Sequence, residues 1–435
     1  MYRDVIDRKK VKSEYLTDFG KNIIIFNDLC FNLFLMWKEI KMKDNSSQSQ
    51  NLLLTGLEKK KRTDQSISRP RVHEKIQKFY RDMSSGVISP ILRLKINRSL
   101  CNFHCEHCCE EPYMGRDLKK KTGAIDPRAQ MSIKDYAELS RQADEYGIFR
   151  FVLTGGEAIL DKNIEELILA LDPMKHLIIL DTNGWTFDEK AARWFAGLGG
   201  YKVQISLDSY VEKDHDSFRK KPGSYKRVMT AIKAAKEEGL ELLLSTCIIK
   251  DRVFSKEFKD FCEFCKTEDI PLYVTLVKPV GTARGQDEWV CTKEDVDHLK
   301  ILEDKYNIFT HMTASYGQPG KCITVKGINT VNHDGEIIPC PYMDLSIGNV
   351  TSMPLSHIMD RGMKDRWLGP YRDECIIGEN YDFIKLHNNS VAEHLAKSPL
   401  LPVPYEDGFA MFGKEKIKSN RIDILTLSPN QKKRI

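Results

Sequence analysis

The stretch Cys101-Asn-Phe-His-Cys105-Glu-His-Cys108 follows directly on the apolar run Ile91-Leu-Arg-Leu-Lys-Ile96. Three thiols within eight residues, on a loop leaving a strand, can converge on one metal centre. Thiolates are soft ligands suited to zinc or to iron-sulfur clusters, and three of them leave a four-iron cluster with one iron that lacks a protein ligand. An iron of that kind is open to chemistry, so the rest of the chain is read for loops that would serve it.

After this loop the sequence alternates regularly. Helical periodicity marks 132–146, 162–170, 188–195, 224–238, 255–266 and 293–305, and a further helix over 72–83 leads into the first strand. Short apolar runs fall between them at 150–153, 177–180, 202–207, 242–249 and 272–277. With 91–96 these make six β/α units, which predicts a parallel sheet with helices outside. The carboxyl ends of such strands carry the functional loops.

The 12 cysteines are too irregularly spaced for a small secreted disulfide scaffold and point to a reducing, cytoplasmic interior with metal clusters. A net charge of +5, with Lys and Arg spread along the chain, gives no reason to expect nucleic acid. Residues 1–20 are charged throughout, unlike a cleavable signal peptide, and the apolar run 23–37 is interrupted by Asn27, Asp28 and Asn32. That run is short for a bilayer span and reads as a buried helix, with a membrane-surface helix as the alternative. Residues 1–85 form an N-terminal extension whose 41–71 stretch, with Lys59-Lys-Lys-Arg62, reads as a flexible, solvated linker.

Several strand ends carry polar signals. The second runs into Thr154-Gly155-Gly156-Glu157, where glycines admit a close ligand and the carboxylate suits an ammonium. The third ends in Asp181-Thr182-Asn183-Gly184. The fourth ends in Ser206-Leu-Asp208 with Arg219 downstream, groups that suit a ribose and a carboxylate. The sixth ends in Lys278-Pro-Val-Gly281-Thr-Ala283.

In this order, over 91 to about 290, the motifs resemble the radical S-adenosylmethionine (radical SAM) superfamily. The resemblance implies a partial (β/α)6 TIM-like barrel over 86–305. Cys101, Cys105 and Cys108 would hold a [4Fe-4S] cluster whose open iron chelates SAM, and one electron would cleave SAM to methionine and a 5′-deoxyadenosyl radical that abstracts hydrogen from substrate. Gly155, Gly156 and Glu157 would hold the SAM amino group, Ser206, Asp208 and Arg219 the ribose and carboxylate, and the Gly281 turn the adenine, with Asn183 in the family's T-N-G-like turn also a cofactor-binding residue. Ala158 replaces the usual proline after the Gly-Gly-Glu motif, and His107 stands where an aromatic residue is common.

Beyond the barrel come Cys322, a hairpin pattern centred on Asn332-His-Asp-Gly335 with Cys340 at its base, and Cys375. This resembles the opening of SPASM and twitch domains, and the later cysteine run of a full SPASM domain is absent. The resemblance implies a small twitch-like α+β domain over 306–385, with Cys322, Cys340 and Cys375 on a second, auxiliary [4Fe-4S] cluster. Its fourth ligand is either another residue, such as Cys291, or an open site for substrate. Cys262 and Cys265 lie one helical turn apart beside phenylalanines and read as core, and Cys30, Cys109 and Cys247 read as structural.

Members of this group modify peptides and proteins or oxidise small molecules such as aminosugars, so the expected substrate is a peptide or protein, with a small molecule as the alternative. An electron donor such as flavodoxin or ferredoxin is expected. Cys291 and Tyr342 are candidates for returning hydrogen or a proton. A competing class, a non-catalytic metal-cluster protein binding nucleic acid through the basic linker, leaves the Gly-Gly-Glu and Ser-x-Asp loops without a reason to co-occur. The tail 386–435 carries no motif, and its apolar 399–412 stretch is expected to pack on the barrel mouth.

Overall fold

Alternation of two residues along each strand organises the barrel. Leu92 and Leu94, Phe151 and Leu153, and Val203 and Ile205 point to the helices and join one large apolar core. Their neighbours Arg93, Thr154, Gln204 and Ser206 face the interior of the barrel. The computed structural model describes residues 69–82, 91–97, 100–110, 129–278, 280–283, 286–310, 322–370, 372, 374–398, 400–406 and 408. The linker, the apolar run 23–37, Cys30, Pro279 and most of the 399–412 stretch lie wholly or partly outside them.

Helix α1 (Pro70–Asp82) precedes β1 (Ile91–Lys95). There follow α2 (Ile133–Tyr146), β2 (Arg150–Thr154), α3 (Ile164–Ala170), β3 (Leu177–Thr182), α4 (Glu189–Gly197) and β4 (Gly200–Ser206). Next come α5 (Glu212–Arg219), α6 (Ser224–Glu237), β5 (Glu241–Ile248), α7 (Lys256–Thr267), β6 (Leu272–Leu276), α8 (Lys293–Glu303) and the short β7 (Ile308–Phe309). β1 to β7 pair in sequence, all parallel. This is the predicted α/β fold, a partial TIM-like barrel with helices outside.

Local chemistry fixes the helix starts. Ser132 and Thr292 form capping boxes with Asp135 and Asp295, while Asp188 and Ser255 accept from the first turns of α4 and α7. Cys262 and Cys265 are fully buried on α7 with Phe258 and Phe261, as their spacing predicts.

The predicted hairpin exists as β8 (Ile328–Val331) and β9 (Glu336–Ile338), with Gly335 at φ +89° closing its turn. It does not stand as a separate sheet. β8 lies parallel to β1 with Ile91 opposite Ile328, and β10 (Gly348–Asn349) completes one ten-stranded sheet. Helix α9 (Leu355–Lys364) follows, and α10 (Tyr381–Leu395) runs through the 385/386 boundary drawn from sequence. The described part of the tail packs elsewhere than expected. Val403 N–H donates to Asp344 O (2.8 Å) and Val403 O accepts from Ser346 N–H (2.8 Å), and neither Leu401 nor Val403 lines the barrel cavity.

Candidate active site

A cavity of about 350 Å³ occupies the barrel interior and opens among the loops after the strands. Cys101, Cys105 and Cys108 line it, and so do Cys322, Cys340 and Cys375, which lie more than 200 residues further along the chain. None of these six is in a disulfide.

The first cysteine loop is held by backbone contacts from both sides. Glu157 N–H donates to Leu100 O (2.7 Å), and a Cβ on Gly156 would lie 2.3 Å from that oxygen and 2.9 Å from Cys101 Cβ. On the other flank a Cβ on Gly281, at φ +61°, would lie 2.1 Å from Cys108 O, while Thr282 N–H donates to the same oxygen (3.0 Å). Only glycine permits either approach. Asn97 ties the two loops by donating to Glu157 O (3.1 Å) and accepting from Gly156 N–H (3.4 Å).

Glu157 is 2% exposed, and both carboxylate oxygens are engaged. Thr182 Oγ1 donates to one and Asn183 N–H to the other, each at 2.7 Å, and burial pushes the carboxyl up to about 7. The carboxylate thus staples β2 to the β3 turn, with Gly155 and Gly156 beside it on the cavity wall. Asn183 in turn donates to Asn102 Oδ1 (2.8 Å), inside the cysteine loop.

Asp208 and Arg219 are committed to one another. Arg219 Nε donates to Asp208 Oδ2 (2.5 Å), Cys247 N–H donates to Asp208 Oδ1 (2.9 Å), and Arg219 Nη1 reaches Cys105 Sγ (3.8 Å). Burial alone would raise the Asp208 carboxyl, but the Arg219 guanidinium holds it well below the usual carboxylate range. Asp208 N–H donates to His215 Nδ1 (3.1 Å), which fixes α5 against the end of β4. His107 stacks on Phe218, with centroids 4.4 Å apart, and burial pulls its imidazole down to about 4. Arg219, expected to pair with a carboxylate of SAM, therefore braces Asp208 and the cysteine loop. Ser206 lines the cavity at the end of β4.

The second cysteine set has its own supports. Cys322 N–H donates to Arg372 O (2.8 Å) and its sulfur meets Thr324 Oγ1 (3.0 Å), while Cys375 N–H donates to Glu379 Oε2 (2.5 Å). Cys291 stands apart: it does not line the cavity, and its sulfur donates to Ile248 O (3.6 Å). The fourth-ligand role expected of it finds no support in this placement.

Sequence reasoning gave no role in the site to three residues of this cavity, reading Cys109 as structural and Lys278 only as part of the sixth strand end. Arg93 pairs with Asp181 (2.9 Å) across the interior, Cys109 donates to Glu110 Oε1 (3.9 Å), and Lys278 is buried against the second cysteine set. Burial pulls down on the Lys278 ammonium, yet the neighbouring Cys375, Glu379 and Cys340 groups hold its pKa above the ordinary value.

Both sets supply the soft thiol donors that a thiolate-bound cluster takes. Phe103 N–H donates to Cys101 Sγ (3.5 Å), and the Arg219 guanidinium facing Cys105 opposes the upward push of burial on that thiol. Lys278 presents a buried cation to Cys375, with no salt bridge to it among the described residues.

A model of the Radical SAM superfamily matches residues 99–276. The AdoMet-dependent heme synthase of Nitratidesulfovibrio vulgaris is 24% identical over 307 residues, covering 62% of this chain and 79% of that protein. The sporulation killing factor maturation protein SkfB of Bacillus subtilis is 22% identical over 280 residues, covering 61% and 62%. Among solved structures, anSMEcpe with bound AdoMet matches at a TM-score of 0.50 and 17% identity, covering 70% of this chain and 93% of that one. That likeness is one of fold.

Proposed function

The chain belongs to the radical SAM superfamily, and from that premise we propose that it modifies a peptide or protein substrate held between two iron-sulfur clusters in the barrel cavity. The observation that carries this reading is the convergence of two distant cysteine triads on one cavity. When bound, the reduced [4Fe-4S] cluster and SAM supply the 5′-deoxyadenosyl radical that removes a hydrogen atom from substrate.

The chain's own residues bind, orient and shield. Cys101, Cys105 and Cys108 would hold the SAM cluster and Cys322, Cys340 and Cys375 an auxiliary one. Gly155 and Gly156 give SAM a close backbone wall, and Asn183 and Ser206 offer polar groups to its ribose. Glu157, Asp208, Arg219 and Gly281 keep that wall in place through the contacts described above. Tyr342, two residues after Cys340, lines the cavity and stands as the proton or hydrogen donor to substrate. Residues 86–305 would form the SAM-binding unit and 306–385 the auxiliary unit, joined through the β1–β8 pair. The electron would come from a flavodoxin or ferredoxin.

A peptide substrate is supported by the likeness to SkfB, named for maturation of the sporulation killing factor. The small-molecule alternative is supported by the likeness to the heme synthase. No helix among the described residues is long and apolar enough to cross a membrane.

The test is anaerobic purification, reconstitution with iron and sulfide, and measurement of iron and of 5′-deoxyadenosine formed from SAM under dithionite. About eight irons per chain are expected, and about four in a Cys101, Cys105, Cys108 to Ala variant, since each cluster holds four. Deoxyadenosine should form from the parent alone. Bound zinc without SAM binding refutes the reading.

A further inference from the structure

After β6, Lys278 at one end and Gly281 and Thr282 at the other meet the two cysteine sets within a span of six residues. At the far end, Gly281 and Thr282 press on the Cys108 carbonyl, and Thr282 Oγ1 donates to Glu106 O (2.6 Å). At the near end, the Lys278 ammonium lies against Gly378, where a Cβ would meet Lys278 Nζ at 2.4 Å and Cys375 Sγ at 3.2 Å. Lys278 is 7% exposed.

A buried ammonium is costly unless negative charge faces it. The nearby Glu379 carboxylate, which accepts from the Cys375 N–H (2.5 Å), supplies negative charge but makes no salt bridge to Lys278 among the described residues. The sulfurs of Cys375 and Cys340 face it as well. As thiols they carry no charge, whereas as ligands of a cluster they belong to an anion.

We propose that the Lys278 ammonium is the built-in counter-charge of the auxiliary cluster on Cys322, Cys340 and Cys375. The proposal rests on the two-cluster reading above. One-electron reduction adds a negative charge to a cluster that is already anionic, so a fixed buried cation beside it stabilises the reduced form more than the oxidised form. Lys278 is thus a positioning residue that raises the reduction potential of the auxiliary cluster. Because Gly281 and Thr282, three and four residues on, clamp the Cys108 carbonyl, the loop after β6 touches both cysteine sets.

The experiment uses the reconstituted full chain as wild type, Lys278→Met and Lys278→Arg, titrated anaerobically with dithionite and followed by electron paramagnetic resonance. A Cys322, Cys340, Cys375 to Ala variant identifies which signal belongs to the auxiliary cluster. The Met variant should show the auxiliary couple at a more negative potential than wild type, with the SAM-cluster couple moved less. The Arg variant, which keeps the charge, should return towards wild type. If the Met variant assembles only the SAM cluster while the Arg variant assembles both, the charge requirement is equally supported. An auxiliary couple unmoved in Lys278→Met, or an auxiliary cluster lost from both variants alike, overturns the proposal. A wild type that holds only about four irons per chain instead refutes the two-cluster reading itself, and its iron count separates the two failures.

Discussion

Replacing Asp208 by Asn keeps the shape of the site and removes the charge against which Arg219 is buried. Asp208 is 1% exposed and Arg219 9%, and their contact at 2.5 Å is closed off by the Cys247 N–H on the other carboxylate oxygen. Removing one partner from a buried pair costs about 3–5 kcal/mol, against about 0–1 kcal/mol for an exposed pair. Asn retains one acceptor oxygen, so the lower end applies. A loss of about 3 kcal/mol is somewhat more than a hundredfold in the folding equilibrium. Urea denaturation of the metal-free chain, followed by circular dichroism, should show a lower midpoint at unchanged slope. The double variant with Arg219→Met should recover much of the loss, because the guanidinium is then no longer stranded. A loss below about 1 kcal/mol in the single variant would mean that solvent screens the pair, and would remove the basis for Arg219 as a brace on Cys105. The pH dependence gives a second check. Asp208 is depressed in the folded state, so its contribution is present above the unfolded value of about 3.9 and is lost as pH falls below it. The acid side of the stability profile should therefore be shallower in Asp208→Asn than in wild type.

Gly156→Ala drives a Cβ into backbone at Leu100 rather than into a yielding side chain. Reconstituted protein should lose about four of about eight irons while the auxiliary signal persists, as read by iron assay and paramagnetic resonance. Glu157 is raised to about 7 in the folded chain, so its own contribution to stability is full below the unfolded value of about 4.3 and is lost as pH rises through 7. Glu157→Gln should flatten that window in pH-dependent urea titrations, by on the order of 3 kcal/mol at most. Of the adjacent thiols, Cys108→Ser should lose SAM-cluster iron, whereas Cys109→Ser, whose sulfur is turned to Glu110, should keep it.

The barrel was legible because largely apolar strand runs alternate with amphipathic helices, several of them capped by side chains, and the strand ends fell within a residue or two of those read from the chain. Helix α5 was not, since Glu-Lys-Asp-His-Asp-Ser-Phe-Arg has no apolar stripe. His215 holds it by accepting from the Asp208 N–H, and Asp216 orders the next turn by accepting from Gly223 N–H (2.5 Å) and Tyr225 N–H (2.8 Å). The β8 pairing with β1 joins residues more than 200 apart, and nothing local in either strand announces it. The three triad members of each set were found by spacing, but the partners of Glu157, Arg219 and Lys278 were not, because burial of a charge is decided by what folds over it. One signal was available and unused: Ile91-Leu-Arg-Leu-Lys alternates apolar with charged, which places Arg93 inside a polar barrel and Leu92 and Leu94 outside it.

That alternation explains why the site sits at the loops. A barrel filled with Val, Ile and Leu would need no lid, but here Arg93, Asp181, Gln204 and Ser245 leave the interior polar and open. Apolar packing holds the sheet from the helix side only, so the geometry of the cysteine loop has to be set by other means. Two glycine contacts on the Leu100 and Cys108 carbonyls set it, one from the β2 loop and one from the β6 loop, together with the Asn97 ties. Backbone-to-backbone contacts of this kind have no rotamers to lose, and they hold the three thiols in place before any metal arrives. It follows that substitutions at Gly156 and Gly281 should act on cluster assembly, whereas a substitution at Tyr342, on the cavity wall away from those contacts, should spare the iron content and act on substrate turnover.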